Sequence, residues 1–191
     1  MKAASFEEAW DKAKLIDGWL ERNEAEWLYE HACKIKPMSK IIEIGSYHGK
    51  STVLLAHTGH RILTIDPLEP KDDQANNMKI TEHDAAILRA NISQHPNVTW
   101  FKGRSDEMDI KPEPTIGLLY IDGNHQAPHP LNDFLHFEDA LILGAYVAFH
   151  DAGTFEGVDS AIKDLEMDGD LDMSVMKRIG TRRSMYIGEY I

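Results

Sequence analysis

The stretch EIGSYHGKST, residues 43–52, decides the fold. It closes an apolar run and opens a helical one, with glycines at 45 and 49 followed by Lys50 and Ser51. That ending looks like a phosphate loop, whose pattern is G-x-x-x-x-G-K-[ST]. The register refuses it. The first glycine would have to stand at position 44, which is Ile44, and Gly45 comes one residue late. Such a loop wraps phosphate with consecutive backbone N–H groups, so its length sets the size of the nest. The dinucleotide fingerprint G-x-G-x-x-G fails too, because Tyr47 stands where the second glycine should be and keeps a pyrophosphate away. The loop suits an adenosine ligand without a pyrophosphate. A nucleotide hydrolase remains the weaker alternative; GLLYID (117–122) offers a metal-holding aspartate, but an apolar strand ending in Asp is too common to rescue a broken loop.

Working outward, short apolar runs recur: IIEIG (41–45), RILTID (61–66), VTWFKG (98–103), IGLLYID (116–122) and AYVAFHD (145–151). Helical patterns separate them, over about 50–58, 82–93, 131–141 and 157–166. Strands that alternate with helices make a parallel sheet covered on both faces, and strands buried on both sides read as continuous apolar runs. The chain ends in DMSVMKRIG (172–180) and RSMYIGEY (183–190). The Gly180-Thr181-Arg182 connection is too short for a crossover helix, so the last strand is expected to run antiparallel. Two helices are expected ahead of the sheet. One is SFEEAWDKAKLI (5–16), capped by Ser5 and Glu8. The other is ERNEAEWLYEHACKI (21–35), ended by Pro37.

The bulk numbers exclude several classes. A chain of 191 residues has room for one substantial core. Its net charge of −12 repels phosphate backbones and anionic bilayers, so neither nucleic acid nor membrane is an expected partner. The single cysteine, Cys33, permits no internal disulfide and reads as a half-buried helix residue. With no signal peptide and no run of 18 apolar residues, a cytoplasmic location is expected.

In open α/β sheets ligands sit beyond the carboxyl ends of the strands. The first run ends in Glu43-Ile44-Gly45, and the second ends in Asp66, about twenty residues on, where an acid accepts hydrogen bonds from ribose hydroxyls. The stretches IIEIGSYHGKSTVLLA, ILTIDP, FKGRSDE and LLYIDGNH…LNDF…LILGAYVAFHD resemble, in this order, the class I S-adenosylmethionine-dependent methyltransferases. They are most similar to the small-molecule O-methyltransferase branch that includes the catechol and macrocin enzymes. The resemblance runs from about residue 18 to the terminal hairpin. It implies an α/β, Rossmann-like doubly wound sheet of seven strands in the order 3-2-1-4-5-7-6, with strand seven antiparallel. The chain then reads as a single methyltransferase domain, with N-terminal helices at 1–37 and the core at 38–191.

The resemblance also implies a site. Gly45 to Gly49, with Ser46 and Tyr47, would wrap the methionine part of S-adenosylmethionine, beside Glu43 and Ser51. Asp66 would hold the ribose, Ser105 and Asp106 fall where the family contacts adenine, and Asp122 borders the cofactor. In the family's metal-dependent branch the ion is held at the ends of strands four and five, which maps onto Asp122, His150 and Asp151. The family usually carries an acid where His150 stands. An imidazole there suits a transition ion better than Mg²⁺, or acts as a base. His125 stands where the catechol enzyme has its catalytic lysine, whereas Asn124 occupies the place of the macrocin-type acid and takes no proton. The catalytic candidates are therefore His125, Asp122 and His150, and His129 and His136 read as surface residues. A small-molecule acceptor, sugar or phenolic, would be walled by the N-terminal helices, the 67–81 loop as a mobile lid, and a second subunit if the chain is a homo-oligomer. The competing class is a non-catalytic S-adenosylmethionine-binding protein with a decayed metal site.

Overall fold

The computed structural model describes residues 3–69, 71–73, 78–110, 113–168, 171–172 and 185–191. Helices α1 (Phe6–Ala13) and α2 (Arg22–Ala32) lead into strand β1 (Lys40–Ile44), helix α3 (Lys50–Ala56) and strand β2 (Arg61–Ile65). A ribbon of β3 (Lys71–Asp73) and β4 (Met78–Ile80) precedes α4 (Glu82–Ile92) and β5 (Val98–Phe101). Then come β6 (Ile116–Ile121), α5 (His129–Phe137), β7 (Leu141–Phe149), α6 (Glu156–Asp168), β8 (Leu171–Asp172) and β9 (Tyr186–Tyr190).

The main sheet runs β5-β2-β1-β6-β7-β9-β8. Counting only its own strands, this is 3-2-1-4-5-7-6, as the resemblance implied. The first five are parallel, and β9 pairs antiparallel with both β7 and β8. The turn expected around Gly180–Arg182 lies outside the described residues. Side chains alternate across the sheet. Ile41, Leu118 and Tyr120 join the cluster under α1 to α3, whereas Ile42, Leu119 and Ile121 join Phe134, Phe137, Val158 and Ile162 on the other face. Burying one such aliphatic or aromatic side chain contributes about 1.5–3 kcal/mol.

Three expectations need correcting. The 67–81 segment carries a two-stranded ribbon, with Lys71 opposite Ile80, although nothing in PLEPKDDQANNMKIT alternates clearly enough to announce it. Ile80 packs with Leu68, Leu88 and Ile92 in a third small cluster. The helix before β7 ends at Phe137, and β7 begins already at Leu141, because the apolar run Leu141–Leu143 favours strand. Helix α2 stops at Ala32, which leaves Cys33 exposed rather than half-buried.

The register positions the site. Ile44 is level with Ile65 on one side and Ile121 on the other, and Ile121 is level with Phe149. The next residue of each strand therefore emerges at the same edge: Gly45, Asp66, Asp122 and His150. The strand order reverses about β1, which opens a crevice there.

Candidate active site

A cavity of about 750 Å³ lies at that edge. It runs from Asp17–Leu20 and Lys50, past Gly45–Tyr47 and Asp66, to Gly103–Asp106 and Asp133, and it reaches Asp122, His125, His150, Asp151 and Phe155. Its floor is the glycine loop. Gly45 has φ +88°, and a Cβ there would lie 2.1 Å from the Asp122 carbonyl oxygen, so only glycine lets β1 pass β6 this closely. Gly49 has φ +87° and caps α3. Tyr47 also holds a left-handed conformation, φ +47°.

That bend turns two amides toward Asp66. Ser46 N and Tyr47 N donate to Asp66 Oδ2 at 2.8 and 2.9 Å, and Leu68 N donates to Oδ1 at 2.9 Å. Asp66 thus shapes the loop and still lines the cavity with unused lone pairs. Glu43 and Gly49 do not line it. Glu43 is fully buried behind the loop, where it accepts from Thr52 and, at 2.6 Å, from Thr64; burial pushes its carboxyl up to about 7 against those hydrogen bonds. His48 anchors the loop from outside through Asp84, 2.6 Å away. Lys50, the residue that suggested a phosphate loop, gives its ammonium to the carbonyl of Gly18 at 2.9 Å. It ties the α1–α2 linker to the loop, and the linker's Trp19 packs on Tyr47 with ring centroids 5.1 Å apart.

At one end of the cavity Ser105 donates its hydroxyl to Asp133 Oδ1. Asp106 also lines the wall, but its carboxylate forms a two-point pair with Arg104, at 2.9 and 2.6 Å, on exposed side chains. His129 lines this end, and His136 turns away to the Met108 carbonyl.

The other end holds the densest charge. Asp122 receives His150 Nδ1 at 3.1 Å, the Tyr120 hydroxyl at 3.2 Å and His125 Nε2 at 3.4 Å. Burial opposes its charge, yet the two histidines outweigh burial and hold the carboxyl below its usual range. His150 is 1% exposed, and its Nε2 faces Glu24 Oε2 of helix α2 at 3.3 Å. Burial works against a charged His150 as well. Asp122, Asp151 and Glu24 outweigh it and raise the imidazole well above its ordinary value, so both ring nitrogens donate. Asp151, 1% exposed with φ +59°, brings Oδ2 within 3.6 Å of His125 Nε2. The His125 ring stacks on Phe155 at 4.5 Å.

Asp122, His150 and Asp151 do converge, but the three that offer donor atoms to one point, all within 4.8 Å of one another, are Asp122, His125 and Asp151. His150 holds Nδ1 3.1 Å from Asp122 and 3.7 Å from Asp151, with Glu24 3.3 Å from its far nitrogen. Glu24 itself escaped the sequence reading, because at the third position of a helix it looks like half of a capping box, which it also is. Asp133 sat unmarked inside a helical pattern, and Trp19 in a linker.

Residues 42–152, more than half of the chain, match the family model described as a methyltransferase domain. No curated protein matches the sequence. Solved structures share the fold. Tomaymycin-pathway O-methyltransferase TomG from Streptomyces achromogenes, in complex with SAM, has a TM-score of 0.66 at 16% identity over 100% of this chain and 91% of its own. SAH-bound methyltransferase PaMTH1 from Podospora anserina gives 0.67 at 14% identity, over 97% and 87%. A putative caffeoyl-CoA O-methyltransferase from Staphylococcus aureus gives 0.68 at 11%, over 98% and 93%. Among the described residues no helix is long and apolar enough to cross a membrane.

Proposed function

The chain belongs to that methyltransferase family, and from this premise we propose that it moves a methyl group from S-adenosylmethionine to a hydroxyl oxygen of a small sugar or phenolic acceptor. The observation that carries the reading is the convergence of Asp122, His125 and Asp151 in the same cavity as the glycine loop and Asp66. The cofactor's methionine part lies along Gly45–Tyr47, its ribose at Asp66 and its base at Ser105. The acceptor enters beside His125 and Phe155. Its oxygen attacks the methyl carbon in line, the carbon–sulfur bond breaks, and the electron pair neutralises the sulfonium to leave S-adenosylhomocysteine. Much of the acceleration comes from holding the two reactants in that geometry. His125 directs Nε2 at Asp122 and Asp151, which leaves Nδ1 to take the hydroxyl proton.

A second reading rests on the same three side chains. Two carboxylates and one imidazole suit a divalent ion such as Mn²⁺ as well as Mg²⁺. When bound, such an ion lowers the pKa of an acceptor hydroxyl. His150, with both nitrogens committed, would orient Asp122 rather than ligate.

The test is methyl transfer from labelled S-adenosylmethionine to a panel of catechols and sugar diols, with and without EDTA. Turnover that survives EDTA and falls about 10²–10⁴-fold in His125→Ala supports the base. Loss with EDTA and recovery with Mn²⁺ or Mg²⁺ supports the ion. Tight S-adenosylhomocysteine binding with no turnover on any acceptor sinks both and leaves a binding protein.

A further inference from the structure

Glu24 is buried where its helix cap does not need it to be. Helices α1 and α2 open on the same reciprocal cap, but the acid of α1, Glu8, closes it in water, whereas Glu24 closes its own at 0% exposure. Its Oε2 accepts from Glu21 N at 3.0 Å and faces His150 Nε2 at 3.3 Å, and its Oε1 is enclosed with no hydrogen-bond partner among the described residues. A glutamate is almost never fully buried unless it is paired, and burying one with an oxygen unmatched is costly, so capping alone does not account for its place. Glu24 does not line the cavity, so it reaches the site only through another side chain.

That side chain is His150. Its ring is held at both ends, with Nδ1 3.1 Å from Asp122 Oδ1 and 3.7 Å from Asp151 Oδ2, and Nε2 against Glu24. The Tyr120 ring stands at 79° to it, with centroids 6.2 Å apart. Turning the imidazole over would put a carbon where each nitrogen stands, so acids at both ends fix one orientation. Asp122 has both oxygens placed in turn. Its Oδ1 meets His150 and, at 3.4 Å, His125 Nε2, and its Oδ2 takes the Tyr120 hydroxyl at 3.2 Å.

We propose that Glu24 is a positioning residue for methyl transfer: from helix α2 it fixes His150, and through His150 the Asp122 carboxylate on which His125 is seated. A base works from the place its orienting group gives it, and here that group is itself oriented from behind. Without Glu24 the His150 ring is free to turn, Asp122 loses a fixed donor, and His125 loses its seat beside the acceptor. Position requires reach more than charge. Glutamine keeps an acceptor at the same length, whereas aspartate keeps the charge but draws it back by one carbon.

The inference rests on the methyl-transfer reading, and the experiment separates the two. Glu24→Gln and Glu24→Asp are compared with the unaltered protein in three measurements. These are turnover of labelled S-adenosylmethionine on the catechol and sugar-diol panel, S-adenosylhomocysteine calorimetry, and NMR of ring-labelled histidine, with the His125 signal assigned by its loss in His125→Ala. Glu24→Asp should lower kcat by about tenfold to hundredfold, leave acceptor KM and S-adenosylhomocysteine affinity unchanged, and move the His125 signal. Glu24→Gln should keep most of kcat and leave that signal near its original place. Full kcat in Glu24→Asp overturns the inference. So does a fall in S-adenosylhomocysteine affinity that keeps step with kcat, the mark of a merely structural loss. The reverse order, with Glu24→Asp active and Glu24→Gln impaired, makes charge rather than position the requirement and overturns it too. If the unaltered protein transfers no methyl group, the methyl-transfer reading fails, and the NMR still decides the inference. A His125 shift in Glu24→Asp that Glu24→Gln lacks upholds the chain of placement, and no shift overturns it.

Discussion

Asp66 and Asp122 end the two strands that flank β1, and they face the same cavity, but their charges are met in opposite ways. Asp66 is held by backbone: three amides from the glycine loop and its own turn. Asp122 is held by side chains from its own strand, from the following loop and from β7, and behind His150 stands Glu24, 126 residues away in sequence. The first arrangement follows from local loop geometry. The second is completed only once helix α2 has docked and brought Glu24 to His150. Backbone donors come with the bend itself, whereas a network of buried charges depends on each member being present.

Glu24→Ala should therefore have the largest effect on stability. It leaves the buried His150 cation with one fewer carboxylate, and breaking a buried pair in this way costs about 3–5 kcal/mol. Denaturant unfolding measures it, and Glu24→Gln, which keeps an acceptor, should cost distinctly less. Equal, small losses in both variants would mean that the Asp122 end is no more dependent on distant neighbours than the Asp66 end.

Glu43 lies behind the loop and sharpens the contrast, because among the described residues it has hydroxyl donors and no cation. Its carboxyl is pushed from 4.5 to about 7, so the folded protein keeps a proton that the unfolded chain releases. The residue costs nothing below pH 4.5. Its cost grows as pH rises from 4.5 through 7, to on the order of 3 kcal/mol above that. Glu43→Gln should then match the unaltered protein in acid and melt progressively higher as pH rises across that window. A difference in melting temperature that is flat with pH would refute the assignment.

The smallest effect expected is at Asp66. Asp66→Ala should weaken S-adenosylhomocysteine by about tenfold to hundredfold in calorimetry, by removing a charged acceptor. Unchanged affinity would show that Asp66 serves only the loop amides.

The same contrast sets what could be read from the chain. The parallel strands, the loop and the acids at the strand ends were legible because each is written in a few adjacent residues: an apolar run, two glycines, a terminal Asp; the sheet order came from the family resemblance. The ribbon of β3 and β4 was not legible, because mostly polar residues carry it. Nor was the carboxylate behind His150, since Glu24 sits in a helix whose pattern announces only an ordinary amphipathic segment with a cap. Asp133 shows the same limit: its partner, Ser105, is 28 residues away.

The tie between Lys50 and the carbonyl of Gly18 has a further consequence, for modularity. The family match begins at residue 42, after both N-terminal helices, as though they were an accessory. Yet the linker they share is fastened to the cofactor loop, and α2 delivers the acid behind His150. Helices exchanged with those of a distant relative would bring every recognised motif along intact and still give a site whose buried imidazole faces the wrong neighbour. Recombination that cuts between α2 and β1 would part Gly18 and Glu24 from the Lys50 and His150 they hold at the cavity.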